Sequence, residues 1–316
     1  MKYLILLFLT LSTLAAPLTP KDLAGKRILF LGDSITAAGS YVSMTLYELL
    51  RQNPEADFDV VCIGLGSETA SCLSEADHPF PRPCIHERLE RALAAVKPDV
   101  VFACYGMNDG IYHPPSADRQ VAYEDGIQML IDKAKAAGVE HIVLLTPGTF
   151  DPVPVASKVR REPPEKGYSY KFPFADYNDV LANFAKWILA VEQPGVHSVD
   201  LHQPMADFVA TQRKANPGYT LARDGIHPQA IGHLVMAQSI LAALGVQPEA
   251  DRDAALARTH ADPLYTLVDR YRKARSKAWL SYVGYTRGKT VKTDSIDAAE
   301  ATARTQMQAI NALRRR

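Results

Sequence analysis

The sequence predicts an α/β architecture in which a parallel sheet carries helices on both faces, and three observations lead there. The first is Ile28-Leu29-Phe30-Leu31, an unbroken apolar run that suits a strand covered on both sides. The second is repetition: strand-like runs at 58–63, 99–104, 140–146 and 196–201 alternate with stretches of helical period, the mark of βαβ units. The third is where the turn residues fall. Gly32-Asp33-Ser34, Gly64-Leu65-Gly66-Ser67, Gly106-Met107-Asn108-Asp109 and Pro147-Gly148 each follow a strand at once, at the edge where open α/β sheets hold ligands.

The helices between these strands are expected over 41–51, where Met44, Leu46, Tyr47, Leu49 and Leu50 make an apolar face, and over 85–96, closed by Lys97-Pro98. Further helices are expected over 123–137, stopped by Gly138, over 175–191 and over 229–244. Residues 148–175 show no period but hold many prolines and five aromatics, Phe150, Tyr168, Tyr170, Phe172 and Phe174. A connection that long, leaving a strand's carboxyl end, is expected to wall the ligand site. From Asp251 the character changes: Leu264, Leu267, Val268, Tyr271 and Trp279 imply an amphipathic helix, 284–288 a break and 295–313 another helix. The expected units are a domain over 24–248 and a helical extension over 251–316.

Lys+Arg and Asp+Glu both total 35, so no overall field argues for nucleic acid. Residues 269–316 hold twelve basic against four acidic side chains, which reads as a solvated helical face. Lys2, the apolar run from Tyr3 to Leu11 and the small residues up to Ala16 have the form of a secretory signal peptide over 1–16, with Thr13-Leu14-Ala15 as the cleavage site. That run is too short for a permanent span, so the expectation is an exported protein, secreted or periplasmic, without stable membrane insertion. Cys62 and Cys104 lie in apolar runs and read as buried thiols. Cys72 and Cys84 bracket a Pro-rich loop and are placed either to stay free or to close it as a disulfide worth about 3 kcal/mol. His78 and His86 lie close by, yet the spacing matches no compact Cys/His zinc pattern, and no metal is expected.

Acyl transfer to a serine needs a nucleophile, a base held in the right tautomer and donors aimed at the developing oxyanion. Ser34 reads either as a helix cap or as that nucleophile. Of nine histidines, His227 stands out, because Asp224 three residues earlier can meet its imidazole within one turn and Asp224-Gly225-Ile226-His227-Pro228 forms a tight local setting. The oxyanion donors would be the N–H of Ser34, the N–H of Gly64, with Gly66 as the alternative, and the side-chain amide of Asn108.

Gly32-Asp33-Ser34, Gly64, Gly106-Met107-Asn108-Asp109 and Asp224-Gly225-Ile226-His227 resemble, in order and spacing, the four motif blocks of the SGNH (GDSL-type) hydrolases, over about residues 26–245. The resemblance implies a three-layer α/β/α sandwich with a five-stranded, flavodoxin-like parallel sheet. It also implies ester hydrolysis without cofactor, with Ser34 as nucleophile, His227 as base, Asp224 as its partner, and Gly64 and Asn108 as oxyanion donors. The second block, Cys62-Ile63-Gly64-Leu65-Gly66-Ser67, departs from the family's usual Asn-Arg-Gly-x-Ser-Gly pattern. The expected substrates are small acyl esters on carbohydrates. Alternatives are a lysophospholipase, lipase or thioesterase acting on longer chains, and a carbohydrate-binding module without turnover.

Overall fold

The computed structural model describes residues 17–287 and 293–315. The leader expected over 1–16 and the end of the expected break at Gly288 lie outside the described residues. Five strands, β1 (Arg27–Gly32), β2 (Asp59–Cys62), β3 (Val100–Cys104), β4 (His141–Leu145) and β5 (Val196–Val199), form one parallel sheet in the order β2-β1-β3-β4-β5. The strands match the expected runs to within two residues at either end. β1 and β3 are buried along almost their whole length, which is why their sequences are apolar without alternation.

Eleven α-helices surround this sheet among the described residues: α1 (Pro20–Leu23), α2 (Ser34–Ala38), α3 (Ser40–Gln52), α4 (Leu89–Val96), α5 (Ala117–Ala136), α6 (Tyr177–Leu189), α7 (His202–Arg213), α8 (Ala230–Ala243), α9 (Arg252–Ala261), α10 (Pro263–Val283) and α11 (Ile296–Arg314). Helices α3 and α8 pack together on one face of the sheet, and α4, α5 and α6 on the other, giving the three layers expected. The helix expected over 85–96 is broken: Ile85–Glu87 is a 3₁₀ turn, and Arg88 interrupts the run to send its buried side chain to Glu68. Helix α5 begins six residues before the expected start because Ser116 caps it, accepting the Arg119 N–H. Helix α7 was not expected, and its buried face is thin, carried by His202, Met205 and Val209.

The extension from Asp251 packs on the α/β layers. Helix α10 lies against α3, β2 and α11. Arg272 is buried on α10 and donates to Ser43 Oγ at 2.6 Å and Ala38 O at 3.0 Å. Arg275 donates to Val60 O at 2.9 Å on the outer strand β2, and to Asp59 and Glu300. An outer strand left bare is a template for unwanted pairing, and here the Arg275 guanidinium and α10 cover it. The chain turns one way from β1 to β2 and the other way from β2 to β3, so the crevice between the carboxyl ends of β1 and β3 is the topological switch point.

Candidate active site

Strand β1 ends at Gly32, where a Cβ would stand 2.2 Å from Thr36 Oγ1 and 2.6 Å from Cys104 O. Only a residue without a side chain lets the strand turn so sharply into α2 between these neighbours. Asp33 caps α2 through its Oδ1, which accepts the Ile35 N–H at 2.9 Å. Burial pushes the Asp33 carboxyl up to about 7. Ser34 is therefore the first residue of α2 rather than its cap, and its side chain is free to face the crevice.

Ser34 Oγ lies 2.7 Å from His227 Nε2, across 193 residues of chain. His227 Nδ1 lies 2.7 Å from Asp224 Oδ2, while Asp224 Oδ1 accepts the N–H groups of Ile226 at 3.0 Å and His227 at 2.8 Å. The hydrogen bond to Asp224 holds the imidazole above its ordinary range, against some burial. Burial works against ionisation of Asp224, but the ring and backbone donors outweigh it and hold the carboxylate well below its ordinary range. The two side chains are 48% and 51% exposed, so water reaches this pair. The turn that presents them is braced from outside. Asp151 N donates to Gly225 O at 2.9 Å, and the Asp151 carboxylate is clamped by Arg213 of α7 at 2.7 Å.

Asn108 follows β3 and is 4% exposed. Its Nδ2 donates to Glu68 O at 3.2 Å and its Oδ1 accepts from Tyr112 OH at 3.2 Å. Gly64 packs against α2. It is buried, a Cβ on it would stand 2.3 Å from Ala37 N, and its N–H faces the Cys62 thiol. The close approach that Gly64 permits here is to the backbone of α2. The half-buried turn that follows, Gly66-Ser67, carries two N–H groups that donate to no other described residue. Ser67 adopts a φ of +69°, a conformation that favours glycine.

Several buried charges around this crevice escaped the sequence reading. Asp109 accepts from the N–H groups of Ala70, Ser71 and Gly106 at 2.7 to 2.8 Å, tying the loop after β3 to the loop after β2. Glu68 is held by Arg88 at 2.6 Å through both oxygens and by Tyr105 OH at 2.7 Å. Arg88 was findable: it stands three residues after Ile85 and four before Ala92, on the apolar stripe of its own segment. Cys72 and Cys84 are joined as a disulfide, and Cys62 and Cys104 are free and buried. The disulfide loop meets residues 148–175, where Tyr170 packs on His78 at 5.4 Å and Lys171 pairs with Asp77. That segment touches both the His227 turn and the disulfide loop, as a wall would. A groove of about 590 Å³ lies between α5 and α6, but its lining, which includes Arg119 and Trp187, holds no triad or oxyanion-donor candidate.

A glycine-turned serine, an aspartate–histidine pair and a buried asparagine at one switch point match a known pattern, and the sequence profile of the GDSL-like lipase/acylhydrolase family fits residues 30–235. The chain belongs to this family. Among solved structures, a gut microbial diltiazem-metabolizing enzyme is similar at 24% identity and TM-score 0.52, over 70% of this chain and 47% of that one. The chain therefore spans about half the length of that relative. A protein described as a GDSL-like lipase from Parabacteroides merdae shares 20% identity over 72% of this chain and 97% of its own, at TM-score 0.47. A carbohydrate acetylesterase family member from Sinorhizobium meliloti shares 15% identity over 70% and 100%, at TM-score 0.46. No curated protein sequence matches the chain. As in other GDSL-like acylhydrolases, the expected chemistry is hydrolysis of an ester, and no described helix is long and apolar enough to cross a membrane.

Proposed function

We propose that the protein is an exported serine esterase that removes small acyl groups, acetyl foremost, from carbohydrates. The observation that carries this reading is the unbroken chain of hydrogen bonds from Ser34 Oγ through His227 to Asp224, each link 2.7 Å long. With Nδ1–H donated to the Asp224 carboxylate, Nε2 is left with its lone pair facing the serine hydroxyl. Ser34 Oγ attacks the ester carbon as its proton passes to Nε2, and the carbonyl oxygen becomes an oxyanion. The Ser34 N–H, the second amide hydrogen of Asn108 and an N–H of the Gly66-Ser67 turn would receive that charge. Collapse of the intermediate expels the alcohol, which takes the proton from His227 and leaves an acyl-Ser34 ester. Water then attacks the acyl carbon as its proton passes to His227, and collapse of the second intermediate frees the acid while His227 returns that proton to Ser34 Oγ.

The carbohydrate preference is read from the two segments that this proposal places beside the ester. His78, Phe80, Tyr170 and Phe172 stand on the disulfide loop and the 148–175 segment, with Arg160 5.0 Å over the Phe172 ring and Lys171 5.6 Å over Tyr170. Aromatic faces interleaved with cations suit a hydroxylated ring better than an acyl chain. The Cys72–Cys84 disulfide agrees with an oxidising compartment, and so with export. Hydrolysis of p-nitrophenyl acetate and octanoate, with Ser34→Ala as control, followed by acetate release from acetylated glycans, tests the reading. Acetate over octanoate, glycan deacetylation and an inactive Ser34→Ala are expected. Equal rates for the variant and the parent would overturn it.

A further inference from the structure

Tyr112 and Arg82 take part in no step of the proposed mechanism, yet both are buried and both are aimed at the oxyanion donors. The Tyr112 hydroxyl donates to Asn108 Oδ1 at 3.2 Å, while Asn108 Nδ2 donates to Glu68 O at 3.2 Å. Pinned at both ends, the amide keeps its oxygen turned away from the crevice and one N–H left over. Rotated by half a turn it would present an acceptor to the oxyanion instead. The backbone is forced to bring Tyr112 there: Ile111 and Tyr112 take φ values of +46° and +59°, which side-chain-bearing residues seldom adopt. Stacking of Tyr112 on Tyr177 at 4.8 Å and the Phe174 N–H on the Tyr112 carbonyl at 2.9 Å hold the turn in place.

Arg82 joins this turn to the other donor segment. Its guanidinium lies 5.6 Å from the Tyr112 ring centroid, and Nη1 donates to Ser67 O at 3.4 Å. Nε and Nη2 grip both oxygens of Glu75 at 2.5 and 2.6 Å, with both side chains 2% exposed or less. Glu75 and Arg82 both belong to the loop that the Cys72–Cys84 disulfide closes. Four of the five described non-glycine residues with positive φ, Ser67, Cys72, Ile111 and Tyr112, fall in the segments so joined.

We infer that Tyr112 and Arg82 are positioning residues that pre-set the oxyanion donors, Tyr112 by fixing the orientation of the Asn108 amide and Arg82 by locking the Gly66-Ser67 turn against the Tyr112 turn. The inference rests on the reading that Asn108 and this turn receive the oxyanion. Donors accelerate acyl transfer only when aimed before the charge forms, so loosening them lowers kcat and leaves KM nearly unchanged. A double-mutant cycle on p-nitrophenyl acetate hydrolysis tests it. Tyr112→Phe is expected to lower kcat roughly three- to tenfold, the usual worth of one neutral hydrogen bond. In an Asn108→Ala background the same change is expected to do nothing further. Arg82→Met should lower kcat in both backgrounds, because it also serves the Ser67 turn, and Arg82→Lys should recover part of the loss. A Tyr112→Phe effect of equal size in both backgrounds, or none in the parent, overturns the inference. An unchanged kcat in Asn108→Ala alone would instead remove the oxyanion reading beneath it.

Discussion

Replacing Asp224 with Asn keeps the shape of the His227 turn and removes the charge that sets the ring's tautomer. An Asn oxygen can still accept the Ile226 and His227 N–H groups that now go to Oδ1 at 3.0 and 2.8 Å. The amide nitrogen then faces Nδ1 in place of Oδ2, and as a donor it favours the ring with its proton on Nε2. That tautomer has no lone pair for Ser34. A buried triad loses about 10⁴ in kcat by this change. Here His227 and Asp224 are each about half exposed, so water supplies part of the missing interaction, and a loss of roughly 10² to 10³ is expected. The pH profile carries a second signature. His227 must be neutral to act as base, and its hydrogen bond to Asp224 raises it above the ordinary 6.5, so the acidic limb of kcat/KM in the parent lies above that value. In Asp224→Asn the limb moves to lower pH. The same bond stabilises the fold below pH 6.5, and that contribution is lost as pH rises through the raised folded value. The assay is p-nitrophenyl acetate hydrolysis from pH 5 to 9 with thermal midpoints taken alongside. A loss of less than about tenfold with an unmoved limb would refute the reasoning, because one triad partner is worth far more than that.

Asn108→Ala is expected to lower kcat by roughly 10² to 10³ while far-UV circular dichroism stays unchanged, the usual loss for one oxyanion donor. Arg88→Met leaves Glu68 buried without its cation, 0% exposed in the side chain, and should cost about 3 to 5 kcal/mol in urea unfolding. Replacing Cys72 and Cys84 together by Ser should lower stability by about 3 kcal/mol on the loop-entropy model, read from the same urea curves.

The fold was legible because its strands are short apolar runs ended by glycine turns, a pattern set by burial on both faces. Ser34 and Asn108 stood out because each follows such a turn, and Asp224 and His227 because their spacing lets carboxylate and imidazole meet; the structure gathers the serine, the histidine and the aspartate into one hydrogen-bonded line. At Gly64 a glycine forced by close approach looks the same in sequence whether a ligand or a helix backbone comes near, and the structure shows the backbone of Ala37 there. The ion pairs of Glu68 with Arg88 and Glu75 with Arg82 were hidden for a related reason. A charge on an apolar stripe shows that a partner exists, but the partner lies 20 residues away in one case, and only the folded chain names it. Helix α7 was missed because His202, Met205 and Val209 bury too little apolar surface to print a period.

The central claim is that Ser34 carries the acyl group. Mass mapping after reaction with a phosphorylating ester such as paraoxon tests it most directly. One diethylphosphoryl group on the peptide bearing Ser34, absent from the Ser34→Ala variant and accompanied by loss of esterase activity, is the predicted result. A label on another residue, or full activity in the labelled protein, would contradict it.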